Sequence, residues 1–310
     1  MNTLGHTLVI GGAGYIGSHL VQQLLATGRR VTVLGRKPAP LHALPLGANY
    51  LMGDFGQPDL IRQLLDQHTE VIHLAYSSTP NTRLSNPLTD LLENLTPAVQ
   101  LFSEVARRGG KLVFVSSGGT VYGEAITLPI TENHPTKPIS QYGVTKLTLE
   151  HYAHLYAMTE GLKFVCVRPA NAFGEGQRPF TGQGFISTAM ASAMRGQTIH
   201  IFGQHGTVRD YLYVTDLAAG ILSALEHGHS SEIYNLGSGL GLSNREVIDA
   251  MRPLMTNREI SISHLPERPF DVKANILDAT KLQQHTGWKP QVEFKEGLHR
   301  TFEWLRRFHA

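Results

Sequence analysis

The stretch Leu8-Val9-Ile10-Gly11-Gly12-Ala13-Gly14-Tyr15-Ile16-Gly17 decides the fold. A short apolar run ends in glycines spaced Gly11-x-x-Gly14-x-x-Gly17, and a helical pattern opens among them and continues to residue 27. In a strand–turn–helix context such glycines form a tight turn and let the backbone approach a pyrophosphate, while the helix N-terminus offers amides and a positive dipole end. Gly11, Gly14, Tyr15, Ile16 and Gly17 are therefore candidate cofactor-binding residues.

Outward from that turn, apolar runs at 7–10, 30–34, 71–75, 111–116 and 163–168 read as strands, and a further strand precedes Gly53. Helical patterns at 14–27, 58–67, 87–108 and 140–159 lie between them. This alternation predicts an α/β fold, a doubly wound parallel sheet of the Rossmann type with both faces covered. Ligands of such sheets bind beyond the carboxyl ends of the strands, where each motif below falls. After Pro169 the regularity weakens. Residues 1–170 are expected to form a dinucleotide-binding domain, with a return of the chain near 209–240, and 171–310 mainly a smaller α/β substrate-binding lobe. In that lobe 185–195, 213–227 and 243–255 read as helices, 233–236 as a strand, 203–209 as a turn and 267–271 as a loop. A short amphipathic helix containing Trp304 closes the chain.

The 310 residues suffice for a large domain and a lobe. A formal net charge of +2 without blocks of like charge gives no reason to expect nucleic acid or a membrane surface as partner. No run nears the roughly 18 apolar residues of a membrane-spanning helix. With no basic and apolar leader either, a cytoplasmic location is expected. The lone Cys166 excludes internal disulfides. The 16 histidines lie scattered, without a zinc-ligand frame, so no metal is expected.

Tyr142 and Lys146 stand four residues apart in Gln-Tyr-Gly-Val-Thr-Lys, on one face of a helix. A lysine ammonium near a phenol favours the phenolate, and a tyrosine of unperturbed pKa about 10 needs such help to act as a base at neutral pH. The pair points to redox chemistry. Dinucleotide sites often carry an acid after the second strand, but here Val31-Thr32-Val33-Leu34 runs into Gly35-Arg36-Lys37. A guanidinium at Arg36 is placed to grip a 2′-phosphate. The expected cofactor is NAD or NADP; Arg36 tilts toward NADP, and a solvated Arg36 leaves NAD. Asp54 and Phe55 are placed to contact adenine, with a helix cap as the other role for Asp54. Leu74 and Ala75 end the fourth strand where a nucleotide passes, and Asn94 is an asparagine on an apolar helix face. Ser116 and Pro169 complete the cofactor set.

These residues, with Ser-Ser-Gly-Gly-Thr-Val-Tyr-Gly at 116–123, Arg-Pro-Ala-Asn-Ala-Phe-Gly at 168–174, Val-Arg-Asp-Tyr at 208–211 and Tyr-Asn-Leu-Gly-Ser-Gly at 234–239, give the chain a clear likeness. It resembles the extended short-chain dehydrogenase/reductases, specifically the nucleotide-sugar epimerase/dehydratase family. The resemblance implies that Tyr142 withdraws a proton from a sugar hydroxyl as hydride leaves the same carbon, while Lys146 orients the cofactor ribose. The implied reaction is C4 epimerisation of a UDP-hexose through a transient keto sugar. The alternative is NAD(P)H-dependent reduction of a nucleotide-linked 4-keto sugar.

One departure stands out: Gly118 occupies the place where the family usually carries a catalytic serine or threonine. Thr120 or Ser117 is then left to supply that hydroxyl. Gly118-Gly119 also lacks the Asp-Glu pair of the dehydratases, which disfavours dehydration. The resemblance further implies a nucleotide-diphosphate sugar held by Asn171, Arg209, Arg268 and Asp271, and a homodimer bundling 87–108 with the Tyr142 helix. Arg209 has Asp210 and Asp216 as alternative partners. Phe185, Ile186 and Ile201 are neighbours of the nucleoside base or core residues, and Tyr76, Ser77 and Ser78 are placed to meet the sugar.

Overall fold

Strands β1 (His6–Ile10), β2 (Arg30–Gly35), β3 (Ala48–Met52), β4 (Glu70–His73), β5 (Lys111–Val115) and β6 (Lys163–Pro169) precede residue 170. Beyond it, β7 (Asn171–Phe173), β8 (Ile199–Phe202) and β9 (Val208–Tyr213) build the smaller lobe, and β10 (Glu232–Leu236) returns to the first sheet. A computed structural model of the chain describes residues 5–77, 87–255, 259–268 and 271–308. The large sheet has the order β10-β6-β5-β4-β1-β2-β3, and every neighbouring pair is parallel. The order reverses between β1 and β4, so a crevice opens there at the carboxyl ends of the strands.

The apolar runs are continuous because both faces are covered. Val9 packs with Leu20, Val21 and Leu24 of α1 (Tyr15–Ala26), and Leu217 and Ile221 of a later helix, residues 214–227, join the same layer. Leu8 and Ile10 face the other layer, with Ile61 of α2 (Pro58–Leu65), Phe102 of a helix at 96–107 and Leu149 of a helix at 141–160. Each fully buried aliphatic side chain here contributes about 1.5–3 kcal/mol relative to exposure.

Three details depart from the sequence pattern. The strand before Gly53 is an edge strand, half exposed along its length, which is why it shows no apolar run. β4 ends at His73, and the amides of Leu74 and Ala75 both bond to the Ile10 carbonyl (2.9 and 3.0 Å), drawing the chain across the glycine turn. The pattern at 87–108 is broken into α3 (Pro87–Asp90), a π segment (Leu91–Leu95) and α4 (Thr96–Arg107). α5 (Gln141–Glu160) starts on Ser140, whose hydroxyl accepts from the Gly143 amide, and stops at Gly161 in the left-handed region.

The lobe contains α6 (Phe185–Met194) and α8 (Asn244–Met251), whereas α7 (Val214–His227) packs on α1 in the layer that covers the large sheet. The pattern at 243–255 stops early because Pro253 turns its end into a 3-10 segment, Arg252–Leu254. Residues 203–209 are not all turn, since β9 begins at Val208. Pro269, Phe270 and Ser78 lie outside the described residues.

Beneath the strand ends runs a buried network. Ser116 donates to Glu150 (2.5 Å), Arg168 grips the same carboxylate through Nε and Nη2 (3.0 and 2.5 Å), and its Nη1 donates to the Tyr122 hydroxyl (2.9 Å). Tyr122 donates on to Asn235 of β10 (2.6 Å), so the network ties α5, β5, β6 and β10 together. Removing one partner of such a pair strands the other charge. Arg168→Met is expected to lower stability by about 3–5 kcal/mol in urea unfolding, and adding Glu150→Met to recover most of it.

Candidate active site

Two of the signature glycines are sterically required. Gly11 has φ of +87°, and a Cβ there would lie 2.7 Å from the Ala75 amide nitrogen. A Cβ on Gly17 would stand 2.5 Å from the Gly12 Cα. Gly14 is different: it N-caps α1 in extended conformation, offers no side-chain cap, and a Cβ there would approach only the Gly11 carbonyl at 3.3 Å. The first turn of α1 therefore presents uncapped amides to a cavity of about 1350 Å³, whose wall includes Gly11, Gly14, Tyr15, Ile16 and Gly17. The Tyr15 hydroxyl is buried there without a hydrogen bond among the described residues. An extended dinucleotide fits this cradle.

Leu74, Ser116 and Pro169 also line the cavity, but not every expected cofactor residue does. Arg36 is exposed after β2. At Gly35, where an acid is common, a Cβ would lie 2.8 Å from the Tyr50 hydroxyl, which donates to the Lys37 carbonyl at 2.6 Å. Tyr50 fills the space that the acid would take. Asp54 accepts from the Gly56 amide (2.8 Å), capping the turn before α2, and Phe55 packs edge-on against His73 at 5.1 Å. Ala75 packs on the core layer. Asn94 accepts from the Ser77 amide and donates to the Ser77 hydroxyl, both at 2.8 Å, so its side chain fastens the loop after β4.

At the centre, Tyr142 and Lys146 both line the cavity. The helical spacing holds, yet the Lys146 ammonium does not rest on the phenol oxygen: it donates to the Val115 carbonyl at 2.8 Å and sits 5.7 Å from the Tyr142 ring centre. It lies closer to the Tyr76 ring, at 4.7 Å. Burial lowers the Lys146 pKa to about 8, against the opposing pull of Cys166, Glu150 and Asp90. Burial raises the Tyr142 phenol above its usual range, a hydrogen bond with Ser117 lowers it, and the Asp90 charge raises it. Ser117 is thus the protein group that favours the phenolate through a hydrogen bond.

The missing hydroxyl at 118 has a steric reason. A Cβ on Gly118 would stand 2.4 Å from Leu277 Cδ1 and 2.8 Å from the Arg168 carbonyl, pointing into the core. The Gly118 amide donates to the Pro169 carbonyl (2.9 Å), and Asn275 donates to the Gly118 carbonyl (2.9 Å). Amides of Thr120 and Val121 turn back onto the Ser117 carbonyl. Thr120 lines the cavity with its hydroxyl buried and without a hydrogen bond among the described residues.

Further along the same cavity stand Asn171, Arg209, Arg268 and Asp271. Asp210 accepts from Ser238, Gly239 and Leu277, and Asp216 from the amides of Gln291 and Val292, so neither acid pairs with Arg209. Burial lowers the Arg209 pKa; Tyr211, Asp271 and Glu124 oppose it. The Arg268 guanidinium lies 3.4 Å over the Phe202 ring. Phe185 and Ile186 reach the cavity, but Ile201 is core: along β8, His200 and Phe202 face the cavity while Ile199 and Ile201 face inward. Tyr76 does not line the cavity; its ring packs edge-on against Tyr142 (4.7 Å) and its hydroxyl donates to Asp90. The sequence reading missed Phe202 and Asp90. The two-residue alternation of β8 marked the first, and the i,i+4 spacing of Asp90 and Asn94 on one helix marked the second.

Comparison with known proteins gives a consistent picture. The profile described as the NAD dependent epimerase/dehydratase family matches residues 7–237. The UDP-glucose 4-epimerase of Mycolicibacterium smegmatis is 32% identical over 309 residues, covering 97% of this chain and 98% of its own. A UDP-glucose 4-epimerase from Thermotoga maritima, solved with UDP-glucose, superimposes with a TM-score of 0.91 at 32% identity, covering 98% of this chain and 100% of the other. The Thermus thermophilus UDP-glucose 4-epimerase, solved with NAD, gives 0.88 at 32% identity, covering 97% and 99%.

The glycine geometry sets a measurable contrast. Gly17→Ala is expected to weaken NAD binding at least about 100-fold by calorimetry, since the turn must open to admit the methyl group. Gly14→Ala should change it by less than about tenfold, within the 1.4 kcal/mol of a tenfold step.

Proposed function

From the premise that this chain belongs to the NAD dependent epimerase/dehydratase family, we propose that it interconverts UDP-hexose epimers at C4 with NAD as resident cofactor. One observation carries the reading: a single cavity runs from the glycine turn, past Tyr142, to Arg209 and Arg268. When bound, NAD would supply hydride acceptance and return at the sugar carbon. Gly11, Gly17 and the first-turn amides of α1 would hold its pyrophosphate, and Lys146 would hold its ribose.

Tyr142 withdraws the proton of the 4-hydroxyl and later returns it. Ser117 steadies the phenolate, and Thr120 supplies the hydroxyl that Gly118 lacks: it lines the same cavity as Tyr142, and its oxygen is buried and unpartnered among the described residues. Arg209 and Arg268 take the diphosphate by charge-assisted hydrogen bonds, with Asn171 and Asp271 beside them. Binding energy at that end fixes the sugar against Tyr142.

Relatives solved with NAD support NAD over NADP. Exposed Arg36 and the space held by Tyr50 fit a cofactor gripped mainly at its pyrophosphate. The proposal extends to a homodimer through the apolar surface of Leu92 in the π segment and Val144, Leu155 and Met158 on α5, all exposed in the single chain; sedimentation that finds only monomer at micromolar concentration would remove it. Among the described residues no helix is long and apolar enough to cross a membrane. The lone, buried Cys166 suits the reducing cytoplasm.

Purified protein with UDP-galactose is expected to form UDP-glucose, followed by proton NMR, without net reduced cofactor. Stoichiometric oxidation of NADPH by a 4-keto sugar nucleotide would make it a reductase instead. Thr120→Ala should lower kcat about 100-fold, and adding Gly118→Ser should not restore it, because the new side chain points at Leu277. Affinity for NAD, followed by calorimetry, should fall as pH rises through about 8, where Lys146 loses the proton with which it holds the ribose as a cation.

A further inference from the structure

Behind Tyr142 lies Asp90, 2% exposed, at the junction of α3 and the π segment. Its carboxylate accepts from the Tyr76 hydroxyl at 3.0 Å to each oxygen, from the Thr145 hydroxyl at 2.5 Å and from the Asn94 amide at 3.1 Å. These donors come from three segments: the loop after β4, the π segment, and the α5 turn that also carries Tyr142 and Lys146. The Tyr76 ring, tied down at its hydroxyl, meets the edge of Tyr142 at 4.7 Å and lies under the Lys146 ammonium at 4.7 Å. A π segment is a local widening of a helix that recurs at functional sites, and here it aims Asp90 and Asn94 at one loop.

We propose that Asp90 is a positioning residue of the redox site: by holding Tyr76 and Thr145 together it fixes the platform from which Tyr142 and Lys146 meet the sugar. The proposal rests on the reading of Tyr142 as the base. Asp90 also works through its charge, since a buried carboxylate is felt strongly at short range in a low-dielectric site. Tyr142 faces the Ser117 hydroxyl, Asp90 and, across its ring, Lys146. Lys146 faces Cys166, Glu150 and Asp90, and on the β4 side His73, which burial first and then Lys146 keep neutral, down to about 3.

The sign follows from those neighbours. Asp90 disfavours the phenolate of Tyr142 and favours the ammonium of Lys146. Neutralising it lowers the pKa of both groups, so both limbs of the pH profile move toward acid.

The test compares Asp90→Asn and Tyr76→Phe with the parent, all loaded with NAD. Asp90→Asn is expected to lower kcat roughly 10- to 100-fold with KM nearly unchanged and to shift the active pH window down by about one unit. Tyr76→Phe keeps the charge and the ring, so its kcat falls while the window does not move down. Lower activity and thermal stability with an unmoved window for Asp90→Asn would reduce Asp90 to a packing role and overturn the proposal. A second measurement needs no turnover: side-chain NMR of the Lys146 ammonium, identified by its loss in Lys146→Met, should titrate near pH 8 in the parent and lower in Asp90→Asn. An unchanged midpoint overturns the electrostatic part, even if the protein proves to turn over another sugar. Absence of epimerisation by the parent, with the NMR shift present, would count against the epimerase reading alone.

Discussion

A lysine ammonium buried at the end of a parallel sheet has to be held by something, and the 2.8 Å hydrogen bond from Lys146 to the Val115 carbonyl is the constraint around which the site is organised. An unpaired buried cation costs several kcal/mol. Here the cost is offset by the carbonyl, by the faces of Tyr76 and Phe114, and by the charges of Glu150 and Asp90. These partners come from several elements. Val115 ends β5, Glu150 lies one turn further along α5 and is locked by Arg168 of β6, and Asp90 opens the π segment. Holding one ammonium therefore fixes α5 against three parts of the fold.

From that anchor the chemistry falls into place. α5 can approach the sheet only where the strand ends leave a crevice, and the Leu74 and Ala75 amides close one side of it on Ile10. The glycine turn then has to be side-chain-free at 11 and 17, because backbone from the segment after β4 and from the turn itself fills the space. The same crowding explains position 118. Its Cβ direction is blocked by Leu277 and two carbonyls, so a hydroxyl can face the cavity only from a neighbouring residue, and Thr120 is the one left without a hydrogen bond among the described residues.

Much of this was legible in the sequence, for physical reasons that differ by element. Strands buried on both faces leave continuous apolar runs, so β1, β2, β5 and β6 could be read directly; the edge strand β3 left none. The glycine spacing and the Tyr142–Lys146 interval are local patterns and survive translation into structure. Interactions between distant segments do not. Nothing local says that Tyr50 fills the space beside Gly35, that Lys146 binds a carbonyl in preference to the phenol, or that Asp90 gathers Tyr76 and Thr145. Asn94 was read as a cofactor ligand from its type alone, and its actual partners, Ser77 and Asp90, are set by the π segment that the helical pattern concealed.

The central claim is that Tyr142 and its neighbours work on the sugar C4 through a hydride that never leaves the site. The direct measurement is the fate of deuterium placed at C4 of UDP-galactose, followed by NMR and mass spectrometry through complete equilibration in ordinary water. The account predicts that the UDP-glucose formed keeps the deuterium at C4. Loss of the label to solvent, or its appearance at another carbon, would contradict it.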